Sequence, residues 1–183
     1  MHSLTHPRLR EIATYLDSVR AQLAALIEAT PHAALTSVAP DGTWNGAQIV
    51  QHLGKVEGAT AKMLEGVLSA SIAAGIPPDS GTSSLLHSLE RLLPGGAALR
   101  PSLAPERMRP AAQVDLDASW ASLVSVRERT YRAYATVDGR DLTTISVPHP
   151  LLGPLNAYEW LLFLGKHEER HIGQLQRQLA EST

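Results

Sequence analysis

At 183 residues, 44% hydrophobic and 19% charged, the chain has the length and composition of one globular domain rather than a disordered segment. Its formal net charge of -2, with no basic block or aromatic-basic stripe, argues against nucleic acid as a partner. The absence of cysteine excludes disulfides, thiolate nucleophiles and sulfur-ligated zinc, so a metal site must draw on His, Asp or Glu.

The first element runs from Pro7 to Ala29, where Leu9, Ile12, Leu16, Val19, Leu23 and Leu26 recur at spacings of three and four on one helical face. Pro7 suits the first turn, and Thr30-Pro31 ends the helix. After the Pro40-Asp41-Gly42 turn signal, Asn45 and Gln48 form a capping-box pattern ahead of a second helix. Its stripe reads Ile49, His52 or Leu53, Val56, Thr60, Met63 and Val67, ending near Gly75. Residues 77–112 are rich in proline, glycine and serine; they read as a surface insertion that lines or covers a pocket, with a short helix over Ser83 to Leu93. A third helical pattern spans Val114 to Val137 through Leu116, Trp120, Leu123, Val124, Tyr131 and Tyr134. The prolines of Val147 to Pro154 rule out helix there. Asn156, with Glu159 three residues on, caps a last helix running to Ala180, with Trp160, Leu161, Leu164, His167, His171, Leu175 and Leu179 on its buried side. No segment reads as strand. The expected fold is all-α: a four-helix bundle with long crossover connections, spanning residues 1–183 as a single domain.

Eight histidines are many for this length, and their placement separates them. His167 and His171 lie four apart on the stripe that faces the core, so their imidazoles stand one above the other. Two buried rings need partners, and one metal ion satisfies both. His52, flanked one turn away by Ile49 and Val56, faces inward from another helix. Three nitrogens with an open position form the catalytic rather than the structural type of site. Neutral nitrogen ligands suit zinc, nickel, iron or copper. The bland alternative is a hydrogen-bonded core network without metal. His167-Glu168-Glu169-Arg170-His171 matches the H-E-x-x-H protease string, but Gln174 and Arg177 stand where one extension needs Gly and His, and only twelve residues follow His171.

Glu168 reads first as a partly exposed bundle residue; it is the catalytic candidate only on the alternative reading, as a general base or support for the metal site. His149 is expected to make a loop hydrogen bond, Glu57 a salt bridge, and Arg170 an ion pair with a glutamate on a neighbouring helix. Trp44 and Trp160 read as core or helix-entry packing. His2, His6, His32 and His87 fall in termini or loops.

The Trp44-led helix carrying Ile49-Val50-Gln51-His52-Leu53 and Glu57 resembles the first metal-ligand helix of the DinB/YfiT-like superfamily. His149-Pro150-Leu151-Leu152-Gly153, Glu159-Trp160 and the run His167 to Leu175 are similar to its C-terminal region. The resemblance implies a DinB-like bundle with a long crossover, a divalent metal (zinc, nickel or iron) on His52, His167 and His171, and frequent homodimers. It implies thiol chemistry, such as transfer of bacillithiol or mycothiol, or metal-dependent hydrolysis. The expectation is therefore a metal-dependent transferase or hydrolase acting on a small molecule, with a low-molecular-weight thiol as cosubstrate. The alternative is a non-catalytic metal- or ligand-binding bundle in stress response. With no secretory leader in Met1 to Arg10 and no spanning apolar stretch, a cytoplasmic location and no membrane partner are expected.

Overall fold

The computed structural model of the chain describes residues 4–39, 43–92 and 104–181. Four long helices form a bundle: α1 (Pro7–Ala29), α3 (Gly46–Ala73), α4 (Leu116–Ala135) and α5 (Ala157–Glu181), with a short α2 (His32–Thr36) before α3. Helix α1 packs along α5 and α3 along α4, while α3 and α5 meet more sparsely. At Gly165, a Cβ would stand 2.4 Å from the Tyr15 ring, so a larger residue there would have to displace that ring from the α1–α5 interface.

Local chemistry sets where the helices begin. Pro7 occupies the first turn of α1. The Asn45 side chain accepts from the Gln48 N–H at 2.9 Å, and the Gln48 side chain accepts from the Asn45 N–H at 3.0 Å. The same box opens α5, with Asn156 and Glu159 exchanging bonds of 3.0 and 2.9 Å.

The expectation of no strand is corrected. Residues Ser146–His149 (β1) and Gly153–Asn156 (β2) form an antiparallel hairpin that leads into α5. Pro148 faces Pro154 in its register. A two-stranded ribbon has only edge strands, where a missing N–H is tolerated, so prolines that forbid helix do not forbid this. Gly153, at φ +75, takes the left-handed conformation after the turn.

In the 77–112 insertion, the expected helix over Ser83 to Leu93 is a 3-10 turn at Ser88–Leu92; Leu93 and on to residue 103 lie outside the described residues. Its start is pinned by Asp79, which accepts from Arg8 at 2.9 Å and from the Tyr158 hydroxyl at 2.6 Å. Its end, after a second 3-10 turn (Glu106–Met108), lies against α3.

The apolar stripes of α3 and α4 face the core as read, with Val56, Met63, Val67, Trp120 and Tyr131 partly buried and Val124 alone exposed, but the buried faces are wider: they extend to Glu57, Ala61, Leu64 and Leu68 on α3 and to Arg127 and Thr130 on α4. Glu57 and Arg127 account for the polar part of this widening. Arg20 of α1, Glu57 of α3, Arg127 of α4 and Glu168 of α5 form a buried quartet. Arg127 Nε donates to Glu57 at 2.5 Å, its Nη2 to Glu168 at 2.9 Å, and Arg20 reaches Glu168 at 2.6 Å and Glu57 at 3.0 Å. The remaining arginine donors go to the carbonyls of Leu123 and Leu16. This layer separates two apolar clusters, one around Leu16, Leu64 and Leu164 and one around Val19, Leu53, Leu123 and Ile172.

Candidate metal centre

His52 projects from the second turn of α3, and His167 and His171 project from α5 across the gap between them. One nitrogen of each lies within 4.8 Å of the other two. His52 Nε2 and His167 Nε2 are 3.3 Å apart. A tetrahedral ion with bonds of about 2.0–2.1 Å holds two ligand nitrogens roughly 3.3–3.4 Å apart, so this spacing is that of a ligand pair.

The orientation of the rings is fixed from behind. His52 Nδ1 lies 2.7 Å from the Met108 carbonyl oxygen. His171 Nδ1 lies 3.0 Å from Gln174 Oε1. Both partners only accept, so Nδ1 carries the proton in each ring and Nε2 turns its lone pair to the shared centre. Trp44 covers the site, its ring centroid 4.6 Å from that of His52 and 6.4 Å from that of His171. Phe163 stacks on His167 at 5.5 Å.

Burial holds the pKa of all three histidines below the usual value. For His52 the Met108 bond works against burial, and the charges of Arg170 and Lys55 add to it. For His167, well below the usual value, the other two imidazoles and Arg170 add to burial. His171 is pushed down to about 3 by burial, then by His52 and Arg170. At neutral pH the cluster is three uncharged acceptors pointed at one place. Such a donor set fits a divalent cation: the Nδ1 atoms of His52 and His171 have acceptors behind them, and the Nε2 atoms of His52 and His167 stand 3.3 Å apart beside that of His171, which here also lies 3.1 Å from Arg170 Nη1.

The family model of the DinB superfamily matches residues 8–175. This chain belongs to the DinB superfamily. Over 50 residues it is 36% identical to the protein YuaE of Bacillus subtilis (strain 168), a stretch covering 27% of this chain and 30% of YuaE, so the match spans under a third of that relative. In fold it is similar to the crystal structure of TT2238, a four-helix bundle protein, with a TM-score of 0.57, 22% identity, and coverage of 92% of this chain and 98% of that one.

In this DinB-superfamily chain the other residues singled out by sequence are placed as follows. Glu168, expected in part as an exposed residue, is 2% exposed, and its carboxylate is engaged by Arg20 and Arg127 in the quartet rather than turned to the histidines. Glu57 makes the expected salt bridges, with Arg20 and Arg127. His149 makes the expected loop contacts: its Nδ1 accepts from the N–H groups of Leu151 and Leu152 at 3.2 and 3.1 Å, and its ring packs on Phe163. Trp160 is core, its indole donating to the Val147 carbonyl. Trp44 is more than packing, since it forms a wall of the site.

Arg170 turns towards the site, its Nη1 3.1 Å from His171 Nε2. Sequence reasoning did not place it there, nor did it find Gln174 or the Met108 carbonyl. Gln174 was accessible from its three-residue offset after His171; a backbone carbonyl 56 positions from His52 leaves no sequence signal.

Proposed function

We propose that His52, His167 and His171 bind one divalent metal ion, and that the chain uses it to act on a small-molecule substrate, with transfer of a small thiol favoured over hydrolysis. The observation that carries the metal reading is the paired Nδ1 bonding: with the Met108 carbonyl and Gln174 accepting behind the rings, the Nε2 atoms of His52 and His171 are left as convergent acceptors. The ion supplies Lewis acidity, lowering the pKa of a water molecule or thiol that reaches it.

This chain's own residues do the rest. Met108 and Gln174 keep the imidazoles in the ligating tautomer and fix their direction. Trp44 and Phe163 keep bulk water off two sides of the cluster, which strengthens every charge interaction there. With no cysteine in the chain, a thiol must arrive with the substrate. Glu168 is unsuited to proton transfer at the centre, because its carboxylate is engaged by the guanidinium groups of Arg20 and Arg127.

Elemental analysis of protein purified without chelators tests the metal reading. About one ion per chain is expected for wild type and none for His171→Ala; a metal-free wild type sinks it. A panel of small thiols offered to the loaded protein tests the transfer reading, and turnover of ester or amide substrates with no thiol consumed would replace it with hydrolysis.

A further inference from the structure

His149 stands outside the three-histidine set but beside it. The turn between β1 and β2 is built on this side chain, whose Nδ1 accepts from the N–H groups of both Leu151 and Leu152. A ring nitrogen that accepts those bonds carries no proton, so the neutral imidazole holds its proton on Nε2. Burial keeps the ring neutral by holding its pKa below the usual value. The residue is 8% exposed, and among the described residues Nε2 has no acceptor. A buried donor left so is costly, and a ligand that completes the bond removes the cost. We propose that His149 is a substrate-binding residue of the metal centre, and that its Nε2–H donates to a carbonyl oxygen of the substrate. The inference rests on the three-histidine metal reading above and adds to it a second anchor point and the chemical group that anchor takes.

One aromatic ring links His149 to the centre. Its imidazole meets Phe163 edge to face at 4.4 Å, and the same Phe163 ring stacks on His167 at 5.5 Å. Trp160 packs on His149 at 5.1 Å and is itself fixed by its bond to the Val147 carbonyl. A charge on His149 is felt at His167. The two nitrogens of an imidazole lie on different edges of the ring, so with Nδ1 given to the turn, Nε2 faces away from it. The turn alone does not call for histidine: an asparagine, whose side-chain oxygen takes the same N–H bonds, would close it in a smaller volume. What the imidazole adds is the Nε2 donor. Its neutrality decides the class of group it suits. An imidazolium would favour a carboxylate, whereas an uncharged N–H fixed in one tautomer suits the carbonyl of a ketone, ester or amide. The substrate thus offers one polar group to the metal and a carbonyl, along the Phe163 ring, to His149.

The test uses cobalt(II)-loaded full-length protein, with its visible absorption as the readout. It is titrated with levulinate and its one-carbon-longer homologue, and with the parent acids pentanoate and hexanoate. Each keto acid offers a carboxylate to the metal and a ketone further along the chain; the parent lacks only the ketone. Wild type is expected to bind at least one keto acid roughly three- to tenfold tighter than its parent, the size of one net hydrogen bond. His149→Asn keeps the acceptor for the turn and removes the donor, so it should melt and take up cobalt like wild type yet lose the preference. His149→Gln sets an amide N–H near the Nε2 position and should keep part of it. A preference absent from wild type, or equal in wild type and His149→Asn, overturns the proposal while leaving the metal site standing. Failure of His149→Asn to fold or to take up cobalt makes the residue structural and overturns it too. If wild type takes up no cobalt, the three-histidine reading fails and this proposal with it, so the two failures are told apart.

Discussion

His171 combines three properties that rarely coincide: it is 2% exposed, it has an acceptor behind Nδ1, and a guanidinium lies against Nε2. Its folded-state pKa of about 3 stands below the ordinary histidine value of 6.5. In the unfolded chain the ring protonates as pH falls through about 6.5, whereas in the folded protein it stays neutral to about 3. The unfolded state therefore binds more protons over that window, and its contribution to stability, complete above pH 6.5, is lost on acidification. The metal-free protein should lose up to about 1.4 kcal/mol per pH unit from this ring alone below pH 6. Urea melts at pH 7 and pH 5 measure it, and His171→Gln should show a shallower dependence; equal slopes in the two proteins would contradict the burial argument. The identity and convergence of these histidines were legible in the sequence, because the 167/171 spacing on an apolar stripe admits few other arrangements. Arg170 was not, since adjacency in sequence to a ligand on a helix usually turns a side chain away by about 100°; only a long, bending side chain reaches back.

On the scale of helices, the capping boxes were readable residue by residue, and the Asn45/Gln48 and Asn156/Glu159 pairs stand as the sequence implies. Asn156→Ala should cost about 1 kcal/mol, the usual value of a lost cap, measured by thermal or denaturant unfolding. The inward faces of α3 and α4 were less readable. Apolar periodicity assigns charged residues to the solvent side, but Glu57 and Arg127 lie inside because their counter-charges arrive from α1 and α5. A pairing between residues 37 to 148 positions apart cannot be seen in either helix alone. Arg127→Ala leaves two buried carboxylates sharing one guanidinium and is expected to destabilise by about 3–5 kcal/mol. Glu168→Gln should also destabilise while retaining bound metal, as read by elemental analysis of the folded fraction; loss of metal from a folded variant would give Glu168 a part in the centre after all.

For the molecule as a whole, the site is closed by a segment that periodicity treats as filler. Residues 108–112 are strapped to the outer face of α3: Gln48 donates to the Ala111 and Ala112 carbonyls, Gln51 accepts from the Ala111 N–H, Lys55 donates to the Arg109 carbonyl, and His52 bonds to Met108. Four side chains within about two turns of one helix thus hold the strap that orients a ligand. The ladder was not legible in the sequence, because its acceptors and donors on the strap are backbone atoms. The double variant Gln48→Ala/Gln51→Ala should weaken metal affinity by roughly tenfold, in the range seen when groups that orient a ligand are removed. Competition against a chelator measures this, and an unchanged affinity would show that Met108 holds His52 without help from the ladder. Among the described residues, no helix is long and apolar enough to cross a membrane.

The buried quartet also bears on the order of assembly. Each of the four long helices supplies one charge, so any three of them pack with an unmatched ion at their centre. A partly built bundle of α1, α3 and α4 holds two arginines against one glutamate and gains little from closing before α5 arrives. The helix that balances this charge with Glu168 is also the one that delivers His167 and His171. In a partly built bundle that lacks α5 the histidine cluster is therefore absent, and docking of that helix both balances the charge and brings His167 and His171 to His52.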